Sequence, residues 1–561
     1  MLDRWQAYRR DALRDDLVAA FIVAVLLIPQ SLAYALLAGL PPQVGVYATV
    51  LPMVAYAALG SSSVNSVGPV AVVALLTAQA IAPVLADGTP ATAAALVLAA
   101  EAGLLLAAAA LFRLDALAAL LSTPVLHGFS TGAALAITLS QLPALLGSPA
   151  RGFTAPQVVS SWWATGVVGQ AWTAAFGVGA LFLLWLLRRR AQALLARWLA
   201  PATASLLARC APLVVVAGAI AVAWVLAADA RGVALVGTLP AFALSLALPP
   251  LDAALWWRLL PSAVPLALVT FVSSLAVAEG LGLRRREQVD ARRELTGLAA
   301  ADLVSACSAG MPIGGSFSRG ALNAEAGART RAAGAWAALL MALAMLLLSA
   351  PLAWLPRAVL AATIVIAVLG VAEWRAFAEA WRYARSEFVV MVLVAALTLF
   401  VGAEAALLTG VALSIALLLQ RSANPHVARI GRVGDTEHYR NVDRHEVQCM
   451  PGVLALRIDE SLVFTNARRL AGVVAQHLAT LPDTRRVVLL MSPVNAIDFS
   501  ALEALRALHE MLAERGIRLD LSEVKGPVLD RLRAGGWEQW FRGRVFLSHH
   551  QGMQDGDAPP P

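Results

Sequence analysis

The stretch GMPIGGSFSRGALNAEAG, Gly310 to Gly327, sets one arginine in a knot of glycine and serine between two apolar runs. An unpaired arginine at mid-bilayer costs roughly 2.5–3.5 kcal/mol on insertion-based scales. Arg319 must therefore lie outside the membrane or be answered by something negative. Gly314, Gly315 and Gly320 remove side chains that would block close approach. A second knot, SSSVNSVGPVAVV from Ser61 to Val73, interrupts hydrophobicity in the same way. Broken spans of this kind mark substrate sites in transporters and occupy matching places in two inverted repeats. The first apolar segment opens near Asp16 and the eighth near Ser262, and the same offset of 246 residues carries Gly68 onto Gly314. Each knot is expected to run extended and then open a half-helix, so that two helix amino termini face one another and gather partial positive charge. An arginine beside them makes sense if an anion binds between them. Its structural alternatives are a pair with a buried carboxylate and a side chain that snorkels to water.

The composition says what must position these knots. With 59% hydrophobic and 14% charged residues, and apolar runs from Leu17 almost to Gln420, the chain reads as a polytopic α-helical membrane protein. An ordinary soluble globule is excluded, as is disorder over most of its length. The first run is too long for a secretory signal and has no small-residue cleavage site, so it stays as the first span. Cys210, Cys307 and Cys449 are scattered singly, which gives neither a disulfide framework nor a metal spacing.

The net charge of +7 follows the positive-inside rule rather than pointing to nucleic acid. Fourteen apolar segments begin near residues 16, 43, 66, 92, 119, 170, 210, 262, 294, 318, 333, 357, 386 and 404, several too short to cross alone. With the amino terminus (Arg4, Arg9, Arg10, Arg14) taken as cytoplasmic, the connections after even segments should be basic. Arg113, Arg188–Arg190, Arg284–Arg286, Arg329 with Arg331, Arg375 with Arg382, and Arg421 fall there. The opposite loops carry isolated arginines such as Arg151, Arg231 and Arg258, so both termini are expected inside.

After Arg421 charges become dense, and β-like runs (VLALRI, RVVLLM, IRLDLS) alternate with the helical pattern ALEALRALHEML. The expected plan is a cytoplasmic segment 1–15, a transmembrane domain 16–421, a polar linker 422–445, a small α/β domain 446–551 and a disordered tail 552–561. In NAIDFSALEAL, Ser500 followed by Glu503 reads as a capping box opening a helix that buries Leu502, Leu505 and Leu508 or Leu512. No catalytic constellation, cofactor motif or metal cluster is read anywhere, so no enzyme activity is expected.

Five segments in order, IPQSLAYALLAGLPPQVGVYATVLP, GSSSVNSVGPVAVV, HGFSTGAALAI, GMPIGGSFSRGALNAEAGART and GRVGDTEHYRNV, resemble the SulP family of anion transporters, sulfate permease-like proteins whose animal relatives include prestin and pendrin. The resemblance covers nearly the whole chain. It implies seven-plus-seven inverted repeats divided into core and gate domains, a carboxy-terminal STAS domain, usually a homodimer, and elevator-like movement of the core past the gate.

Carried over, the family's anion pocket maps onto Gln30 and Tyr34, Val70 just after Gly68-Pro69, Ser273 and Ser274 in the eighth segment, and Ser318 with Arg319 at the tenth. Backbone N–H groups and hydroxyls can replace water around an oxyanion while Arg319 supplies countercharge. One departure stands out. Many bacterial relatives carry an acid in the eighth segment, within a phenylalanine-aliphatic-acid-serine pattern associated with sodium or proton coupling, and here FVSS puts Ser273 in its place. Other ionisable coupling candidates are Glu101, His127 and Glu279. Their structural readings are an interior pair or protonated carboxyl for Glu101, a hydrogen-bonded core residue for His127, and a pair with Arg284–Arg286 for Glu279.

The resemblance to STAS domains implies that Asp498 and Ser500 fall where the bacterial anti-sigma antagonists carry a loop with a phosphorylated serine, and with it a cytoplasmic regulatory partner. The expected function is secondary transport, as a symporter, of a small anion across the cytoplasmic membrane. Sulfate comes first, with bicarbonate or a dicarboxylate as alternatives. An uncoupled channel or exchanger is the second class. A nucleobase permease shares the fold, but an uncharged base needs no fixed cation such as Arg319.

Overall fold

The computed structural model describes residues 10–114, 122–166, 169–198, 211–239 and 246–555, with isolated positions 200, 204 and 208. The expectations placed on Met1–Arg9, Cys210 and the tail beyond Asp555 lie outside the described residues, as do the side chains of Arg10, Arg284 and Phe317. Two units emerge, Met1–Ser414 and Ile415–Pro561.

Among the described residues the first unit is helical: α1 (Arg10–Leu37), α2 (Pro42–Leu59), α3 (Ala71–Leu85), α4 (Ala91–Leu111), α5 (Thr123–Leu146), α6 (Ala155–Thr165), α7 (Ala171–Leu195), α8 (Ala211–Val225), α9 (Ala253–Arg285), α10 (Ala291–Cys307), α11 (Phe317–Glu325), α12 (Ala332–Leu352), α13 (Arg357–Leu369), α14 (Trp374–Tyr383), α15 (Arg385–Phe400) and α16 (Ala403–Ala423), the last running into the second unit. Nine stretches of the described residues are long and apolar enough to span a bilayer, and α3 and α8 are shorter apolar helices. The two helices outside the expected fourteen segments are α6 and α14, both short and amphipathic.

Helices from the two halves interlock. α10 packs on α4 and α2, α12 on α1 and α2, and α13 and α15 on α5. Lipid is as apolar as leucine, so small residues that let backbones approach hold such contacts. Gly128 and Gly132, one turn apart on α5, show it. A Cβ on either would stand 2.5 Å from the Met391 carbonyl or 2.6 Å from the Ala395 carbonyl of α15.

Two short strands, β1 (Ser66–Gly68) and β2 (Gly314–Ser316), pair antiparallel with Ser66 opposite Ser316, Val67 opposite Gly315 and Gly68 opposite Gly314. Each knot is thus an extended strand leading into a helix, β1 into α3 and β2 into α11.

The second unit is an α/β domain whose sheet runs in the order β4-β3-β5-β6-β7-β8. Its strands are β3 (Val427–Arg432), β4 (Tyr439–Asn441), β5 (Val453–Ile458), β6 (Arg486–Leu490), β7 (Arg518–Ser522) and β8 (Val545–Phe546). β3 pairs antiparallel with β4 and β5, and β5 to β8 are parallel. β6 is buried at every position, as a central parallel strand covered on both faces should be. Residues 422–445, expected as a linker, contribute two strands to this sheet. α17 (Ala467–Thr480), α18 (Phe499–Glu514), α19 (Gly526–Ala534) and α20 (His549–Gln554) complete the domain. Leu502, Leu505, Leu508 and Leu512 of α18 all enter its core.

Candidate anion-binding site

Arg319 is the third residue of α11 and is 1% exposed. Its Nη1 donates to the Pro69 carbonyl at 3.0 Å and to Gln30 Oε1 at 3.4 Å, while Nε and Nη2 meet no acceptor. Among the described residues no carboxylate pairs with it. It is neither salt-bridged nor snorkelling. A buried guanidinium with two idle nitrogens leaves several donors unsatisfied, a cost that a bound anion would remove. The charge sits where the amino termini of α3 and α11 converge. Val70, half-buried, is the extended residue before α3, whose first N–H groups find no acceptor on its side chain. Ser316 caps α11, its Oγ accepting the Arg319 N–H at 3.4 Å.

The crossing is tight. A Cβ on Gly68 would lie 3.6 Å from Arg319 Nη2, and one on Gly314 would lie 3.3 Å from a Val70 methyl. On Gly315 it would come within 2.8 Å of Asn65 Oδ1 and 3.0 Å of Ser274 Cβ. Ser274, fully buried on α9, accepts the Gly315 N–H at 2.7 Å. Gln30 and Tyr34 lie one turn apart on α1, and Tyr34 is buried.

The other named residues stand further from this arrangement. Ser273 is half-buried, and its hydroxyl donates to Val269 O of its own helix at 2.6 Å. Ser318 is exposed, its Oγ 3.3 Å from Ser316 Oγ. Glu101 is buried on α4 with Oε2 unpartnered, His127 is half-buried on α5, and Glu279 is exposed on α9. Among the described residues none of these three bonds to the arginine or its partners, and Glu279 forms no ion pair.

Several supporting groups were not singled out in the sequence. Glu294, wholly buried on α10, accepts from the Tyr56 hydroxyl at 2.7 Å, the Ser61 N–H at 3.0 Å and hydroxyl at 2.6 Å, and the Ser62 N–H at 2.9 Å. Glu287 accepts from the Ser63 N–H at 2.9 Å and hydroxyl at 2.5 Å. Two turns along α10, Asp302 Oδ1 accepts the Ile313 N–H at 2.9 Å. One helix therefore pins the entrance of both knots, and the acids do this as acceptors for backbone N–H and hydroxyl groups rather than as countercharges to Arg319. Asn65 and Ser66, buried within the first knot, keep unpartnered polar atoms. Their place inside the SSSVNS stretch was the available signal.

In the second unit the capping reading shifts by two residues. Asp498, not Ser500, is the N-cap of α18. Its Oδ1 accepts the Ala501 N–H at 2.8 Å, and its Oδ2 accepts the Phe464 N–H of the neighbouring loop at 2.7 Å. Ser500 is exposed in the first turn. Asp498 wins because a carboxylate has a second oxygen with which to tie another loop, which a serine hydroxyl cannot do.

The sequence matches the model of the sulfate permease family over residues 13–394 and that of the STAS domain over residues 444–552. It is 34% identical over 542 residues to a probable sulfate transporter of Mycobacterium tuberculosis, covering 95% of this chain and 93% of that one. It is 32% identical over 570 residues to probable sulfate transporter 4.2 of Arabidopsis thaliana, covering 98% and 81%. The fold matches the murine Solute Carrier 26 family member A9 anion transporter, solved in an inward-facing state, with a TM-score of 0.85 at 21% identity over 97% of this chain and 92% of that one. It also matches the transmembrane domain of a cyanobacterial bicarbonate transporter, with a TM-score of 0.60 at 18% identity over 72% and 98%. A buried arginine at two crossed half-helices and an α/β domain after the last span thus occur in a chain that belongs to the sulfate permease family of membrane transporters, with a carboxy-terminal STAS domain.

Proposed function

We propose that the protein carries a small oxyanion, sulfate first, across the cytoplasmic membrane by elevator-like alternating access, with both termini cytoplasmic and the chain working as a homodimer. The observation that carries this reading is Arg319, buried with two unpartnered nitrogens and, among the described residues, no carboxylate partner, beside the amino termini of α3 and α11. Gln30, Tyr34, Gly68, Val70, Ser274 and Arg319 form the pocket. Ser273 and Ser318 face the anion once movement of α9 and α11 turns their hydroxyls inward. The relatives' names favour sulfate, and bicarbonate or a dicarboxylate remains the alternative. In the second unit, the loop at Asp498 and Ser500 receives a regulatory partner.

Uncoupled transport or exchange is a second reading, favoured by Ser273. Where a coupling acid would stand, a hydroxyl is bonded to its own helix. Glu101, His127 and Glu279 stay as coupling candidates. Uptake of labelled sulfate, bicarbonate and fumarate into proteoliposomes, with and without sodium and proton gradients, tests both readings. Saturable sulfate uptake with little sodium dependence is expected. Failure of all three anions to enter contradicts the proposal, and strictly sodium-driven uptake contradicts the weight placed on Ser273.

A further inference from the structure

We propose that the basic collar formed by the end of α7 and by α14 is a binding site for the phosphate headgroup of anionic phospholipids. α14, with sequence WRAFAEAWRY, buries none of its residues although it lies between two apolar helices, α13 and α15. Trp374, Trp381 and Tyr383 are exposed on it, alongside Arg375 and Arg382. An amphipathic helix with aromatic rings and arginines, attached at both ends to membrane helices, has its lowest free energy in the interface, rings at headgroup depth and charges toward phosphate.

The tertiary structure adds a second basic element that is distant in sequence. Arg188 Nη1 donates to the Ile366 carbonyl at the end of α13 at 3.0 Å, which brings the Arg188–Arg190 run beside the start of α14. Arg189 lies over the Trp185 ring at 4.6 Å, and Arg385 over the Trp381 ring at 5.5 Å. Stacked this way, each guanidinium keeps its edge donors free to form a fork on a phosphate. The end of α7 and residues 373–387 carry six arginines, Arg188, Arg189, Arg190, Arg375, Arg382 and Arg385, against three acids, Glu373, Glu379 and Glu387. The surplus is positive, and the apolar side chains of Trp185, Leu369, Val371, Trp374 and Trp381 in the same segments are exposed. A neutral lipid or a second copy of this same basic face complements that less well than an acidic headgroup does.

The test uses the purified full-length protein and phosphatidylglycerol or phosphatidylcholine as probes. Native mass spectrometry should show several-fold greater retention of phosphatidylglycerol, and Arg189→Gln combined with Arg382→Gln should abolish that preference with the melting temperature unchanged. Phosphatidylglycerol in the reconstituting vesicles should raise the uptake rate of the wild type several-fold more than that of the variant. Equal retention of both lipids by the wild type, or an unaltered preference in the variant, overturns the proposal. A change of oligomeric state in the variant without a change in lipid retention makes the collar a contact between copies and overturns it equally. Lipid retention requires no transported anion, so it fails or succeeds independently of the substrate reading.

Discussion

Gly68 stands directly opposite Gly314 where the two short strands cross. Their separation of 246 residues equals the offset between the first and eighth apolar segments. Neither residue of this pair has a side chain, so the strands can approach each other with Arg319 close beside them.

Replacing Arg319 with alanine removes the fixed charge from a site that otherwise offers helix termini and hydroxyls. Sulfate affinity should fall by about 1–3 kcal/mol. Isothermal calorimetry on the purified variant measures this, and an unchanged melting temperature separates lost binding from lost fold. Residual binding is expected, since the termini of α3 and α11 keep their donors.

The register sets a cross-linking outcome. Ser66 faces Ser316, and directly opposed antiparallel residues have Cα atoms about 4.5–5.5 Å apart, within disulfide range. In a background lacking Cys210, Cys307 and Cys449, Ser66→Cys with Ser316→Cys should form an intramolecular disulfide with a membrane-permeant oxidant, seen as a shift on non-reducing gels. Ser66→Cys paired with a cysteine at Ala326, past the end of α11, should not.

Ser274→Ala leaves the buried Gly315 N–H without its acceptor and should cost about 1–3 kcal/mol of stability. Gly315→Val should be worse. Its Cβ meets Asn65 and Ser274 at 3.0 Å or less, so the strands must separate and uptake should be lost. Thermal melting of detergent-purified protein, with sulfate uptake alongside, ranks the two. A Gly315→Val variant with normal uptake would show that the strands need not touch.

Asp498→Ala removes a helix cap and a tie to the Phe464 loop together, so it should destabilise the STAS domain by about 1–2 kcal/mol. Ser500→Ala should have little effect. Hydrogen exchange over residues 499–514 distinguishes them, with faster exchange expected only for the aspartate variant.

His549 gives the STAS domain an acid sensitivity. Burial first, and then the nearby Arg486 and His550, lower its pKa from the ordinary 6.5 to about 4, while its Nδ1 lies 2.8 Å from Ser522 Oγ. As pH falls below about 6.5 the unfolded chain takes up a proton that the folded domain refuses until about 4. The contribution of this residue is thus complete above 6.5, declines between 6.5 and 4, and changes no further below. Melting temperature against pH should show that decline, and His549→Gln should flatten it.

The sequence by itself determined the membrane character, the two matching knots and the change of texture after Arg421. Each of these is a local property: hydropathy summed over one window, glycine and serine clustered in one stretch, charge density on one side of a position. The α/β pattern and the leucine face of α18 were legible for the same reason. Only the tertiary structure decided what each polar group meets. Arg319 finds Gln30 across 289 residues and the Pro69 carbonyl across 250, and among the described residues no carboxylate reaches it. Nothing in the local spacing marks Glu294 and Asp302 as the groups that pin the two knots. The cap of α18 went to Asp498 because Phe464, brought in from another loop, needed an acceptor too. Residues 427–441 joined the sheet because β5 offered an edge to pair with. Hydrophobic pattern fixes which segments are buried, while hydrogen-bond partners depend on which buried segments end up adjacent, and that is settled only when the whole chain packs.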